Sequence, residues 1–420
     1  MEWSRFYFLC GFSWNLVGIA LTSYALPMQM AALFGTLGLS FWVMLVNLLG
    51  LRSKTACLVC ALVPYLFGFI HLNYHQSKIQ RLQPQELSFA LIQPGWLPPE
   101  KMPLYGYAYA FIPPLLQWHQ IADFLKKIPK DKSVDIIVLP EVALSSGISS
   151  PLTTMDVAIE LLDHKFGKEI LHYLPPPTPP FIHKTLSFNE GVIQEKISIT
   201  HAFIAQAIAN YFNAEVVIGL EDYDTNKQQH YNAAFHFIPN KNNLSRYEKR
   251  VLVPLAEYLP FQWCRSLTKS YGIHEFYTPG KEAKVFCGKV PLALSICYEE
   301  TFPNLIRESR LKGANLLVNV TNDGYFPFSK LAQQHYDHGR IRSVENGTPL
   351  IRACNTGVSA AIDSLGKTTA KLEKGSGLVL SSISLYHYKT LYTLLGDAGI
   401  ISICLFFLIL YLTLKKVFKI

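Results

Sequence analysis

A layered α/β domain flanked by transmembrane α-helices is the fold class this sequence predicts, and three observations predict it. Half of the 420 residues are hydrophobic and only 16% are charged, against about 25% in an ordinary soluble domain. The mean hydropathy is correspondingly high, at +0.19. Three apolar runs contain no Asp, Glu, Lys or Arg. Between the second and third, short β-rich segments alternate with helical ones, the pattern of a layered α/β domain.

The spans come first in the chain. Leu26–Leu51 and Thr55–Asn73 are uncharged apart from His71, and each has the length or nearly the length of about 20 helical residues that a bilayer requires. Gly399–Leu414 is the third run. The opening stretch, Phe6–Tyr24, is apolar but interrupted by Gly11, Ser13 and Asn15. It reads as a further membrane-inserted segment or as a signal peptide behind Arg5. The spans that follow at once and the lack of a small-residue cleavage site favour the first reading. Arg52 and Lys54 sit between the first two spans, and Lys415, Lys416 and Lys419 follow the last. Positive flanks favour the cytoplasm, so both clusters place the domain between them on the outer face, in a periplasm if the cell is Gram-negative. The expected organisation is a membrane region at 1–76, an extramembrane domain at 85–386 and a C-terminal span at 397–415.

Within that domain, β-branched and aromatic runs bounded by turn residues predict strands. They lie at Ser88–Ile92, Asp135–Leu139, Glu215–Leu220, Tyr231–Ile238, Leu292–Cys297, Leu316–Val320, Leu350–Cys354, Val358–Asp363 and Leu378–Ser384. Helical periodicity covers Ile199–Phe212, Asn304–Lys312 and Leu331–Asn346. Five prolines in Leu174–Phe181 mark an extended surface loop.

Charge and cysteine content exclude some classes of function. The net charge of +8 includes no block of Lys and Arg interleaved with aromatics, so nucleic acid is not an expected partner. Eight cysteines in a chain of this length are not a disulfide framework. Cys57 and Cys60 form a C-x-x-C inside an apolar run, where helix packing is the plainer reading than redox chemistry. Cys264, Cys287 and Cys354 read as packed thiols. His335 and His338 share a helical spacing, but no thiol or carboxylate pattern completes a metal site; no metal or cofactor is expected.

Three places put a reactive side chain where a strand gives way to a loop, a common station for catalytic groups. They are Ile136-Ile-Val-Leu-Pro-Glu141, Tyr247-Glu-Lys249-Arg-Val-Leu-Val-Pro254 with Glu257 close behind, and Leu294-Ser-Ile-Cys297-Tyr298-Glu299. Taken singly, Cys297 reads as a packed core thiol, Lys249 beside Arg250 as a solvated basic pair, and Glu141 as a cap.

Taken together and in that order, the three motifs resemble those of the nitrilase superfamily, and within it the apolipoprotein N-acyltransferases. The resemblance extends to Val318–Phe326, Gln334-His335, Arg340–Asn346, Arg352–Gly357, Gly11–Asn15, Gly38–Phe41, Val46-Asn47 and Leu391–Asp397. The chain departs from the family pattern at Ser13, where Pro is usual, and at Leu255-Ala256, where Phe-Gly is usual. Family members also carry transmembrane helices ahead of the point that corresponds to Met1, so the first of them are expected to be missing here.

The resemblance implies a nitrilase-type α-β-β-α sandwich between transmembrane helices, in a bacterial inner membrane, with the domain on the periplasmic side. It implies a phospholipid acyl donor resembling phosphatidylethanolamine, an apolipoprotein acceptor and a thioester on Cys297. Glu141 would be the base. Lys249, with the backbone N–H of Tyr298, would hold the oxyanion, each donor worth roughly 3–4 kcal/mol. Glu257 and Glu299 would support Lys249 or Cys297. Two rivals remain at this stage: a membrane-tethered amidase of the same superfamily, and a truncated non-catalytic relative that binds lipoproteins.

Overall fold

The computed structural model describes residues 2–8, 11–101, 108–189, 192–266, 276–325 and 329–418. Cys10, Phe326 and Lys419 lie outside the described residues.

The N-terminal part holds a helical turn at Glu2–Arg5, a 3₁₀ turn at Val17–Ser23 and a short helix at Ala25–Met28. Two long helices follow, α1 (Ala31–Gly50) and α2 (Lys54–Leu82). The chain then runs through β1 (Glu86–Gln93), α3 (Pro114–Leu125), β2 (Ile136–Val138) and α4 (Met155–Phe166). Next come the hairpin β3 (Ile182–Asn189) and β4 (Val192–Ile199), then α5 (His201–Phe212), β5 (Glu215–Asp224), β6 (Gln229–Phe237) and β7 (Ser245–Glu248). The second half holds β8 (Val285–Cys287), β9 (Pro291–Ile296), α6 (Pro303–Leu311), β10 (Leu316–Thr321) and α7 (Leu331–Asn346). It closes with β11 (Leu350–Cys354), β12 (Ser359–Ile362), β13 (Thr368–Leu372), β14 (Gly377–Ser384) and α8 (Asp397–Phe418). Ala31–Gly50, Lys54–Leu82 and Asp397–Lys416 are long and apolar enough to cross a membrane.

Two six-stranded sheets form the domain, in the orders β14-β1-β2-β5-β6-β7 and β13-β12-β11-β10-β9-β8. In each, three central strands run parallel: β1, β2 and β5 in one, β9, β10 and β11 in the other. Parallel strands covered on both faces need apolar side chains at odd and even positions alike. Leu87, Phe89 and Leu91 accordingly meet Leu292, Leu294, Val318 and Val320 between the sheets. Ala90 and Ile92 point the other way, into a core built with α3, α4 and α5. On the far side, Ala293, Leu317, Ala360 and Ile362 pack against Leu305 and Ile306 of α6 and Tyr336 of α7. The layers are therefore α-β-β-α, as expected.

All nine expected strands and all three expected helices are present. The proline-rich stretch is a loop between a 3₁₀ turn ending at Tyr173 and β3. Helix α2 continues to Leu82, beyond the expected end of the apolar run at Asn73.

Helix α1 is broken at Phe34 (φ −136°) and Gly35 (φ +66°). The Tyr392 ring would lie 2.4 Å from any Cβ at position 35, so only glycine fits both the space and the torsion. The helix restarts at Thr36, whose N–H and Oγ1–H both donate to Glu345 Oε1 at 2.7 Å. A carboxylate of the domain thus caps a helix of the membrane part. At the other end of the chain, Asp397 opens α8 and its Oδ2 accepts from Asn304 Nδ2 at 2.5 Å.

Candidate active site

Glu141, Lys249 and Cys297 meet at one end of the sandwich, the first two leaving one sheet and the third the other. Leu139 still donates to Val217 O at 2.8 Å, then Pro140 ends the strand and Glu141 follows. Gly219 of β5 lets that turn approach: a Cβ there would lie 2.7 Å from Glu141 Cα and from Pro140 O. Val142, next in line, is held at φ +41°, a costly torsion for a β-branched residue.

Lys249 follows β7 directly and is almost fully buried, at 1% exposed. Its Nζ donates to Glu141 Oε1 at 3.0 Å and to Glu257 Oε1 at 2.8 Å. Asn232 Nδ2 donates to the same two oxygens at 2.8 and 3.1 Å. Among the described residues, none donates to Glu141 Oε2. Burial alone would discharge Lys249, but Glu141, Glu257 and Cys297 outweigh it and hold the ammonium pKa well above its ordinary value.

Cys297 begins a 3₁₀ turn, Cys297–Thr301, immediately after β9. Its φ of +50° turns the chain sharply at the thiol, a conformation that persists where surroundings over-determine it. Burial pushes the thiol pKa up, Glu141 pushes it further, and Lys249 opposes. The resting group is a thiol.

The supporting carboxylates divide. Glu257 touches Lys249, and its second oxygen accepts from Val253 N at 2.8 Å. Glu299 does not touch Lys249 in the hydrogen-bonding sense; it ties the two motifs together. It accepts from Arg250 N at 2.6 Å, Ile296 N at 2.8 Å and Tyr247 Oη at 3.0 Å. Burial raises its pKa against the pull of those amides and of Lys249. Tyr298 turns its ring away, stacking on Trp14 with centroids 6.0 Å apart, and donates to Gly11 O at 3.0 Å.

Sequence reasoning assigned no role at the site to three neighbours. Asn232 lies inside β6 with nothing in the sequence to mark it. Lys101 is buried and donates to the carbonyls of Glu141, at 3.4 Å, and Val142. Burial lowers its pKa to about 8, with Glu141 and Glu221 resisting. His335 reaches the backbone of Cys297, as developed below. Of the remaining thiols, Cys264 and Cys354 are buried, but Cys287 is exposed rather than packed. Cys354 also donates to Thr356 O at 2.7 Å.

A Ser–His contact lies elsewhere, with Ser146 Oγ 2.6 Å from His201 Nε2. Trp118 Nε1–H donates to His201 Nδ1 at 2.9 Å, so Nδ1 has no proton and Nε2 carries it. Burial lowers the ring's pKa to about 3. The ring therefore donates to Ser146 and cannot take its proton, as a catalytic base must.

A carbon-nitrogen hydrolase family model matches residues 90–390, and a model of the apolipoprotein N-acyltransferase N-terminal domain matches residues 1–49. Apolipoprotein N-acyltransferase of Chlamydia pneumoniae is 32% identical, over 96% of this chain and 72% of its own length. The protein of that name from Rickettsia bellii is 25% identical, over 99% of this chain and 74% of its own. Among solved structures, Saccharomyces cerevisiae Nit3 of the nitrilase superfamily is 18% identical, covering 71% of this chain and 90% of its own at a TM-score of 0.45.

Proposed function

The chain belongs to the apolipoprotein N-acyltransferase family of the carbon-nitrogen hydrolases, and we propose that it moves a phospholipid acyl chain onto an apolipoprotein through a thioester on Cys297. The acceptor is the α-amine of an N-terminal diacylglyceryl-cysteine. One observation carries this mechanism: Lys249, buried between Glu141 and the partly buried Glu257 on one sheet, and coupled with Glu141 electrostatically to the thiol of Cys297 on the other.

In the first half-reaction Glu141 takes the Cys297 proton, through the oxygen that Lys249 and Asn232 leave open. Sulfur attacks the ester carbonyl, the C–O bond breaks, and the proton passes from Glu141 to the departing lysophospholipid. In the second, the amine attacks the thioester. Its proton passes by way of Glu141 to the sulfur as the C–S bond breaks. Lys249 is held as an ammonium, so it is no base; it stabilises the oxyanion of both tetrahedral intermediates, with the Tyr298 N–H as the second donor. Glu257 keeps Lys249 charged and aimed, and Glu299 keeps the two motifs in register.

We place the domain on the periplasmic face of the inner membrane, on three spans. The ends of α1, α2 and α8 that meet the domain lie at Thr36, His75 and Asp397; Arg52, Lys54, Lys415 and Lys416 lie at the other ends. That placement keeps a phospholipid in the bilayer, where each CH₂ withdrawn into water would cost about 0.8 kcal/mol.

Incubation with radiolabelled phosphatidylethanolamine and no acceptor should leave label on the protein that neutral hydroxylamine releases. Cys297→Ala should abolish it, and Lys249→Ala should slow it by roughly 10²–10³-fold. Adding a diacylglyceryl-peptide should convert the label to an amide. Free fatty acid as the sole product would point to hydrolysis instead, and unlabelled, folded wild-type protein would remove the thioester from the mechanism.

A further inference from the structure

The buried ring of His335 on α7 sits between two acceptors. Nδ1 lies 2.8 Å from Asp323 Oδ1, and Nε2 lies 3.0 Å from the carbonyl oxygen of Cys297 itself. Glu300 Oε2 is 3.5 Å from Nε2 and is shared with Arg352 Nη2 at 3.2 Å. His338 and Arg342 lie on the same helix, and Trp14 presses edge-on against both rings, with centroids 5.5 Å apart in each case. Each of His335, Asp323, Glu300, Arg352, His338 and Arg342 is buried.

The carbonyl that His335 grips shares a rigid plane with the N–H of Tyr298. A trans peptide points its C=O and its N–H in opposite directions. Fixing the oxygen end therefore fixes the direction of the N–H. Cys297 stands at φ +50° where β9 hands over to the 3₁₀ turn, and the His335 ring is the side chain that holds its carbonyl there. We propose that His335, keyed by Asp323 and braced by Trp14, is a positioning residue that aims the Tyr298 N–H at the oxyanion of the acyl-transfer intermediate. The bond to the carbonyl also polarises the peptide and strengthens the N–H as a donor. The inference rests on Cys297 being the nucleophile of the reaction proposed above.

The test uses full-length protein and p-nitrophenyl butyrate, an activated ester that acylates a thiol whatever the natural donor is. The C–S bond forms as charge moves to the carbonyl oxygen; it returns as the C–O bond breaks and p-nitrophenolate leaves. Gln places an amide N–H₂ near the site of Nε2, whereas Asn places one near Nδ1. His335→Asn should therefore slow the p-nitrophenolate burst by roughly 10²-fold, and His335→Gln should recover on the order of tenfold of that loss. Iodoacetamide alkylation of Cys297 forms no oxyanion, so both variants should alkylate at close to the wild-type rate. Equal bursts from the Asn variant and wild type would overturn the proposal. So would equal losses in burst and alkylation, the signature of a disturbed fold. Failure of phospholipid labelling with this ester pattern intact would count against the proposed donor and leave the role of His335 standing.

Discussion

At the scale of single residues, the proposed site keeps its thiol protonated and its ammonium charged. Burial, then Glu141, hold the Cys297 thiol high, with Lys249 pulling the other way. Alkylation of Cys297 by iodoacetamide, followed by mass spectrometry from pH 6 to 10, should keep rising beyond the ordinary thiol value of about 8.5. A plateau by pH 8 would contradict this. The sign for Glu141→Gln then differs between two measurements. Removing the negative charge lowers the thiol pKa, and each unit gives roughly tenfold more thiolate at neutral pH, so alkylation should speed up. Acyl transfer should slow down, because the proton relay is gone. Glu141, Lys249 and Cys297 were legible because each ends a recognisable strand. Asn232 and Lys101 were not, and His335 stood out only as part of a family segment: they stand 91, 40 and 38 positions from the residues they contact, and only the fold brings them there.

Among elements, the parallel strands announced themselves by being apolar on both faces. Helix α3 carried a readable signal too, with Trp118, Ile121, Ala122 and Leu125 buried at helical spacing, though two prolines mask its start. The break in α1 could not be read, since it depends on Tyr392 and Glu345 far along the chain. Ser13 is a departure that the structure explains: its hydroxyl, fully buried, meets that of Thr301 in the turn begun by Cys297, a contact that Pro could not make. Glu345 is one of the bonds between an apolar helix and the domain, and it also pairs with fully buried Arg342, Nε to Oε2 at 2.9 Å. Glu345→Ala would leave that guanidinium without its counter-charge, at a cost of about 3–5 kcal/mol. Its apparent melting temperature in detergent should fall clearly, and Glu345→Gln, which can still cap Thr36, should fall less. An unchanged melting temperature for the Ala variant would show that the cap carries no weight.

For the whole molecule, the proposed arrangement of three spans and one domain makes a claim about sidedness. An alkaline phosphatase fused after Ser384 should be active, because that enzyme folds only when exported, and one fused after Lys416 should be silent. The opposite pattern would put the site on the cytoplasmic face, away from exported lipoproteins. A different consequence follows from the division of the site between two sheets. The proposed base and cation ride on one slab, the thiol on the other, and what keeps them in alignment is the apolar layer between, Leu91 and Val138 against Leu294 and Val320, together with the bond from Arg250 N to Glu299. The active centre is thus a vernier for the slip of one slab over the other. A slide of an ångström would break no strand pairing yet would carry the thiol out of reach of its base. Catalysis should therefore fade on warming before any backbone ladder melts.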